Sequence, residues 1–202
     1  MRQLATLYER FEKNESLIQK DVIVLIGLQL TRKAQAVFVA QNSGYQIIST
    51  GNVLRSICHS KGMEQNIMNI SKIAEDVGEL KVLKIGISKA LDAMEFTESK
   101  GIVVDTVKSL EGMKYIYKRF RKVISVGFLA STTFRFEHSQ IRNRPDDAKD
   151  KNQFDKRDER ELSMGIADLI VMSDFFVIAQ DIKSSRNQFH KIINLIEKNE
   201  YT

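Results

Sequence analysis

Five short apolar runs, rich in β-branched residues, alternate with longer segments of helical spacing along the chain. The runs cover residues 22–27, 45–49, 101–105, 122–129 and 175–179. The first run is apolar on both faces and ends in a glycine, a pattern typical of a buried central strand of a parallel sheet. Strands that alternate with helices form βαβ units, so the sequence predicts an α/β fold with five parallel strands and helices on both faces of the sheet.

The segments between the strands are predicted to be helical, apart from one polar stretch. Helical patterns cover 32–42, 53–59, 63–76, 80–98, 110–120, 153–172 and 184–198. Residues 4–19 carry a partial apolar stripe, so we predict an N-terminal helical extension over 1–20 before a domain that spans 21–202. The polar stretch, residues 131–152, is dense in charge. We expect it to be a lid loop and the most mobile internal segment.

Composition removes several classes of protein. One cysteine, Cys58, excludes an intramolecular disulfide, and three widely spaced histidines make a zinc site unexpected. A net charge of +5 suits a protein that handles phosphates but does not indicate duplex nucleic acid as a partner. The longest apolar run, 22–28, is too short to span a membrane, and the N-terminus shows no apolar signal. We therefore expect a cytoplasmic or organelle-interior protein without a membrane partner.

The segment after the first strand has part of the spacing of a phosphate-binding loop. In parallel sheets ligands bind at the carboxyl ends of the strands. The segment Gly27-Leu-Gln-Leu-Thr31-Arg32-Lys33-Ala34 keeps the first glycine and the lysine of the pattern G-x-x-x-x-G-K-[ST]. Arg32 stands where the second glycine is expected, and Ala34 replaces the hydroxyl residue that binds magnesium. The alternative interpretation is an ordinary strand–turn–helix with a surface lysine.

Charged residues also follow the other strands. Arg55, one turn into a helix, is suited to clamp a phosphate, and its alternative is a surface arginine behind an N-cap. Asp105 ends the third strand, where it could position magnesium or accept a proton, or simply cap a helix. The lid region carries three arginines that could neutralise a transferring phosphoryl group, although charge runs are often solvated faces. These arginines are Arg135, Arg142 and Arg144.

Longer motifs resemble those of one enzyme superfamily. Residues 142–147 (Arg-Asn-Arg-Pro-Asp-Asp), followed by 154–161 (Phe-Asp-Lys-Arg-Asp-Glu-Arg-Glu), are similar to the lid and the following helix of P-loop nucleoside monophosphate kinases. The resemblance is strongest to the dephospho-CoA-kinase-like branch of archaeal nucleotide-kinase-like proteins, which also occurs fused to deoxycytidylate deaminases. It extends over 22–198. Besides the loop positions, Thr106 and Lys108 replace a glycine and an arginine of the family pattern.

The resemblance implies a three-layer P-loop NTPase fold with a charged lid and, in an active enzyme, phosphoryl transfer that requires ATP and Mg²⁺. The implied acceptor is a nucleotide or dephospho-CoA. The implied catalytic residues are Lys33, Asp105, Arg142 and Arg144. The implied ATP site consists of Gly27, Thr31, Arg32, Lys33 and Ala34. The implied substrate-binding residues are Arg55, Lys108 and Arg135. Because Ala34 lacks a hydroxyl, the resemblance leaves the metal ligands open between Thr31, Asp105 and water.

Two classes of function remain open. One is a divergent but active kinase. The other is a kinase-fold protein with a degenerate phosphate loop. Such a protein binds a nucleotide or related phosphate ligand with weak or lost turnover, or it serves as an interaction module in a larger assembly or homo-oligomer. Because two of the four defining loop positions differ, the sequence favours the degenerate protein slightly.

Overall fold

The protein, described here over residues 17–94 and 98–200 of a computed structural model, is built on one five-stranded sheet. All strand pairs are parallel, and the strand order is β2-β3-β1-β4-β5. The strands are β1 (Val22–Ile26), β2 (Gln46–Ser49), β3 (Ile102–Asp105), β4 (Val123–Leu129) and β5 (Phe175–Ile178). The predicted parallel α/β sheet is thereby confirmed, and each strand lies within its predicted run.

The central strand β1 explains why the first apolar run is continuous. It pairs with β3 and β4, with Val22 opposite both Ile102 and Val123. Every residue of β1 is buried. Ile23 and Leu25 pack in the core on one face of the sheet, and the alternate residues pack in the core on the other face. A strand covered on both faces needs apolar side chains at every position.

Nine helices surround the sheet in the described part of the chain. They are α1 (Lys33–Asn42), α2 (Thr50–Ser60), α3 (Ile67–Val77), α4 (Glu79–Met94), α5 (Leu110–Arg119), α6 (Thr132–Arg142), α7 (Lys151–Ser163), α8 (Ile166–Val171) and α9 (Ile182–Lys198). Helices α1 and α9 cover one face of the sheet, and α4, α5 and α8 cover the other. The helix predicted over 153–172 is two helices, α7 and α8, because Gly165 adopts a left-handed conformation (φ 89°) between them.

The prediction of a lid loop over 131–152 was wrong for its first half. Ser131 caps helix α6 by accepting a hydrogen bond from the Phe134 amide, and the left-handed Asn143 ends the helix. The buried positions of α6 are Arg135 and Ser139, four residues apart. Both side chains are polar, so a search for apolar periodicity does not detect this helix. Between α6 and α7 only residues 143–150 are non-helical.

The predicted N-terminal extension falls almost entirely outside the described residues. Of 1–20, the structure describes residues 17–20, and Ile18 pairs with Phe120 in the segment between α5 and β4. The Ile18 amide donates to the Arg119 carbonyl (2.9 Å), and the Arg121 amide donates to the Ile18 carbonyl (3.3 Å). The division into 1–20 and 21–202 stays a prediction. Among the described helices, none has the length and apolar character needed to cross a bilayer.

Candidate phosphate-binding site

A cleft of about 390 Å³ opens at the carboxyl ends of β1, β2 and β3. The loops after these three strands line it together with residues of α6, α7 and the segment between them. Three acidic side chains line the cleft, namely Asp105, Asp146 and Glu161. Seven cationic side chains line it, namely Arg32, Lys33, Arg55, Lys108, Arg142, Arg144 and Arg157. A concave surface with this excess of positive charge attracts anions.

The loop between β1 and α1 has the left-handed backbone that a phosphate-binding loop obtains from glycine. Leu30 (φ 63°) and Arg32 (φ 65°) both lie in the left-handed region. The loop thus accommodates Arg32 at the expected glycine position, at a conformational cost of roughly 1–2 kcal/mol. Gly27 has a separate packing reason, because a Cβ there would lie 2.9 Å from both the Cβ and the carbonyl oxygen of Phe128.

Lys33 is folded back inside this loop. Its Nζ donates to the carbonyl oxygens of Gly27 (2.5 Å) and Leu28 (2.7 Å), and it lies 3.2 Å from the Thr31 hydroxyl. Burial lowers the pKa of Lys33 to about 8, against the opposing effect of the Asp105 carboxylate. The ammonium group therefore remains largely protonated at neutral pH and sits at the loop that would face a phosphate chain.

The loop after β1 and the end of β3 present few of the oxygen atoms that would bind a magnesium ion in a phosphate-binding loop. Thr31 is 2% exposed, and its hydroxyl donates to the Leu28 carbonyl (2.9 Å). Ala34 lines the cleft without a hydroxyl. Across residues 17–94 and 98–200, no group of three or more His, Cys, Asp or Glu side chains could hold a metal ion. Asp105 is the one proposed metal ligand that lines the cleft, so these residues do not fit the hydroxyl-plus-carboxylate site expected for Mg²⁺.

The end of β3 is held against the start of α2. The Thr50 hydroxyl lies 3.3 Å from the Asp105 carbonyl and 3.4 Å from the Thr106 carbonyl. The Thr106 hydroxyl donates to the Asp105 carboxylate (3.1 Å). Thr106 has a φ of 79°, an outlier for a β-branched residue. A glycine, which the resemblance of the sequence leads one to expect here, would adopt this φ without strain.

Several cations expected to contact a ligand are already ion-paired. Arg55 on α2 donates to Asp146 (2.9 Å) and to the Asn52 side chain (2.7 Å). Arg142 forms an ion pair with Asp147, whose carboxylate also accepts from the Arg144 amide (2.9 Å). Asp146 and Asp147 thus shape the segment between α6 and α7.

Arg135 is not brought to the cleft. Its side chain is 3% exposed and donates two hydrogen bonds to Asp158 (2.8 and 2.5 Å). Its guanidinium carbon also lies 5.2 Å from the centre of the Phe154 ring. The expectation of a substrate-binding Arg135 therefore needs correction, because the residue joins α6 to α7 inside the protein.

No family model matches the chain. It is 30% identical over 174 residues to a UPF0200 protein of Methanopyrus kandleri, which covers 80% of this chain and 82% of that protein. The chain belongs to the UPF0200 family. A UPF0200 protein of Thermococcus onnurineus is 26% identical over 183 residues, with 88% of this chain and 97% of the relative covered.

Solved structures show which fold this UPF0200 chain has. TT1252 from Thermus thermophilus superposes with a TM-score of 0.63 at 10% identity, covering 89% of this chain and 98% of that one. Shikimate kinase from Acinetobacter baumannii gives a TM-score of 0.55 at 13% identity, with 91% and 96% covered. These similarities establish a P-loop kinase-like fold, and at such identities they establish the fold alone.

Glu161 was not among the site residues predicted from the sequence, yet it lines the cleft. One oxygen of its carboxylate accepts from the Gln29 amide of the loop after β1 (3.2 Å), and the other accepts from Lys108 (2.8 Å). Burial would raise the pKa of Glu161, but the charges of Lys108 and Arg157 lower it to about 2. The i,i+4 spacing of Arg157 and Glu161 is the one local sign of this arrangement in the sequence, and the structure has the pair at 3.6 Å.

Proposed function

We propose that this UPF0200 chain binds a nucleotide or another phosphate-bearing small molecule in the cleft and transfers phosphoryl groups weakly or not at all. The observation that carries the proposal is the cationic cleft at the ends of β1, β2 and β3, next to a loop that keeps Lys33 but lacks a hydroxyl at Ala34. Positive groups at this place suit phosphate binding, whereas the missing metal ligand weakens catalysis.

We expect the cationic side chains of the cleft to contribute unequally to phosphate binding. Those in ion pairs already have their charge compensated by a neighbouring carboxylate. Arg32, Lys33 and Arg144 have no carboxylate within ion-pairing distance in the part of the chain that the structure describes. Arg32 and Lys33 are consecutive in the loop after β1, and Arg144 follows α6. We therefore place the phosphate chain between this loop and the segment 143–150.

An active ATP-dependent kinase is the second candidate. The left-handed geometry at Leu30 and Arg32, the buried Lys33 and the cleft-lining Asp105 favour it, because these features supply part of the machinery for phosphoryl transfer. In that case Lys33, Asp105, Arg142 and Arg144 act on the reacting group, and a nucleotide or dephospho-CoA is the acceptor, as in the branch that the sequence resembles.

A non-catalytic interaction module is the third candidate. Exposed apolar side chains on β4, β5 and the end of α8 favour it, namely Leu129, Val171, Phe176 and Ile178. Apolar surface at a sheet edge is common in binding sites for proteins. The partner in this case would be another protein or a second copy of this chain. We also propose a location in the cytoplasm or inside an organelle.

Calorimetric titration and a transfer assay on the full chain separate these candidates. We expect ATP and tripolyphosphate to bind and adenosine not to bind, with no more than slow transfer of labelled phosphate to nucleoside monophosphates or dephospho-CoA. Rapid transfer to any acceptor would establish the active kinase instead. If neither ATP nor tripolyphosphate binds at low salt, the proposed phosphate site is wrong.

A further inference from the structure

We propose that the guanidinium of Arg32 takes the place of the metal ion in this loop, so that the cleft binds a di- or triphosphate chain in its metal-free form. The proposal rests on the proposed function and specifies the form of the ligand. It starts from two facts that concern the same loop. The residues that would hold Mg²⁺ do not fit it, and the position of the second glycine carries an arginine that lines the cleft.

The one hydroxyl group of the loop, on Thr31, does not line the cleft. Thr31 turns its hydroxyl inward to the Leu28 carbonyl, and Lys33 donates to the same hydroxyl. Ala34, where a hydroxyl would bridge metal and phosphate, offers a methyl group. Mg²⁺ requires near-octahedral oxygen ligands, and of the two ligands expected from the sequence, Thr31 and Asp105, only Asp105 lines the cleft.

Arg32 has an unused capacity to donate hydrogen bonds. Its Nε is buried and has no hydrogen-bond partner in the described part of the chain. No carboxylate of residues 17–94 or 98–200 lies within 4.0 Å of its guanidinium, the distance of an ion pair. Its guanidinium carbon lies 5.4 Å from the centre of the Phe134 ring on α6, which supports the group from one side. An arginine so placed is oriented by an aromatic ring, and its charge is offset only at a distance, by the Asp181 carboxylate.

A guanidinium can supply positive charge to a phosphate chain in place of a metal ion. It carries a permanent charge and presents a planar fork of donors that matches two phosphate oxygens at once. Together with the neighbouring ammonium of Lys33 it places two positive charges at the start of α1, comparable with the charge of one divalent cation. Both charges are supplied by the chain, so the phosphate chain needs no metal to offset its own charge here.

The backbone at Arg32 supports a functional reason for this residue. A left-handed conformation is unfavourable for any residue except glycine, yet the loop keeps an arginine there at φ 65°. Strain of this kind persists where the surrounding structure imposes it, and it concentrates at ligand sites. The side chain, rather than the backbone, is then the reason for arginine at this position.

Titration of tripolyphosphate with the full chain, in EDTA and in excess Mg²⁺, tests the proposal. We expect the wild type to bind at least as tightly in EDTA. Arg32→Gly should lower the affinity in EDTA by about tenfold or more, the loss expected for one charge-assisted contact. Arg32→Lys should retain part of the affinity. Arg186→Ala is the matched control, because Arg186 also stacks on a phenylalanine (4.2 Å from the Phe38 ring) but does not line the cleft.

Arg32→Gly is a suitable variant because glycine adopts the left-handed conformation without strain, so the fold should be retained or stabilised in thermal melting. Adding Ala34→Thr to it should restore affinity in Mg²⁺ only. Wild-type binding that requires Mg²⁺, or unchanged affinity in Arg32→Gly, would overturn the metal-replacement proposal while phosphate binding itself stands. No binding in either buffer would instead refute the proposed function.

Discussion

At the scale of single residues, the phosphate loop shows how a departure from a motif can keep the backbone and change the chemistry. Arg32 retains the left-handed conformation of the glycine that it replaces, so the shape of the turn survives. Ala34 leaves the helix start intact but removes a metal ligand. Lys33 is unchanged in type and is held by loop carbonyls at 2.5 and 2.7 Å. The loop after β1 therefore carries two positive charges but no hydroxyl at position 34.

Lys33 and Lys108 should differ in their importance for binding. Lys33 has no carboxylate partner in the described residues, whereas Lys108 is paired with Glu161 at 2.8 Å. We predict that Lys33→Ala weakens ATP binding by about tenfold or more, and that Lys108→Ala has a clearly smaller effect, because its charge is already compensated. Calorimetric titration at one ionic strength measures both. Equal affinities of the two variants would show that Lys33 does not face the phosphates.

At the scale of elements, β1, β3 and β4 were predictable because they lie in apolar runs that are mostly buried. The cores around Ile23 and Val24 need such runs. The edge strands β2 and β5 contain polar or exposed positions, and only their short apolar stretches between helical segments indicated them. Helix α6 was missed because its buried positions, Arg135 and Ser139, are polar. Arg135 is buried only because Asp158, 23 residues later, compensates its charge at 2.5 Å. Long-range compensation of this kind is invisible to a local pattern.

The segment between α6 and α7 should become less mobile when a ligand binds in the cleft. Residues 143–150 are the non-helical part of the predicted lid, and Arg142 and Arg144 at its start line the cleft. We predict fast amide exchange over 143–150 in the free protein and slower exchange with tripolyphosphate bound, because a contact to Arg144 would restrict the segment. Hydrogen exchange with mass spectrometry measures this. Identical exchange in saturating ligand would exclude the segment from the site.

At the scale of the whole molecule, the candidate site could be predicted in part. The positions of Lys33, Arg55, Asp105 and Lys108 around one cleft follow from the topology, since parallel strands end at the same edge of the sheet. The pairings of Arg55 with Asp146 and of Lys108 with Glu161 do not follow, because each carboxylate comes from a distant part of the chain. Glu161 on α7 is the example, since it joins the loop after β1 and the segment after β3 to one helix.

The acid stability of the protein should depend on Glu161. Its pKa is lowered to about 2 in the folded protein by Lys108 and Arg157, against an ordinary value of 4.5. A carboxyl with a lowered pKa stabilises the fold above its unfolded pKa, and this contribution is lost as the pH falls from about 4.5 towards 2. We predict that Glu161→Gln is less stable than the wild type at pH 7, by about 3 kcal/mol, because a buried pair is broken.

The pH dependence of the free energy of unfolding separates the contribution of the Glu161 charge from that of its packing. As the pH falls from about 4.5 towards 2, the wild-type carboxyl loses its advantage, so the difference in free energy of unfolding between wild type and Glu161→Gln should shrink. Urea unfolding at a series of pH values measures it. Lys151→Ala, which removes an exposed pair with Asp155, is the control and should change stability by less than about 1 kcal/mol at any pH. A difference that stays constant down to pH 2 would mean that Glu161 stabilises the site through packing and neutral hydrogen bonds, not through its charge.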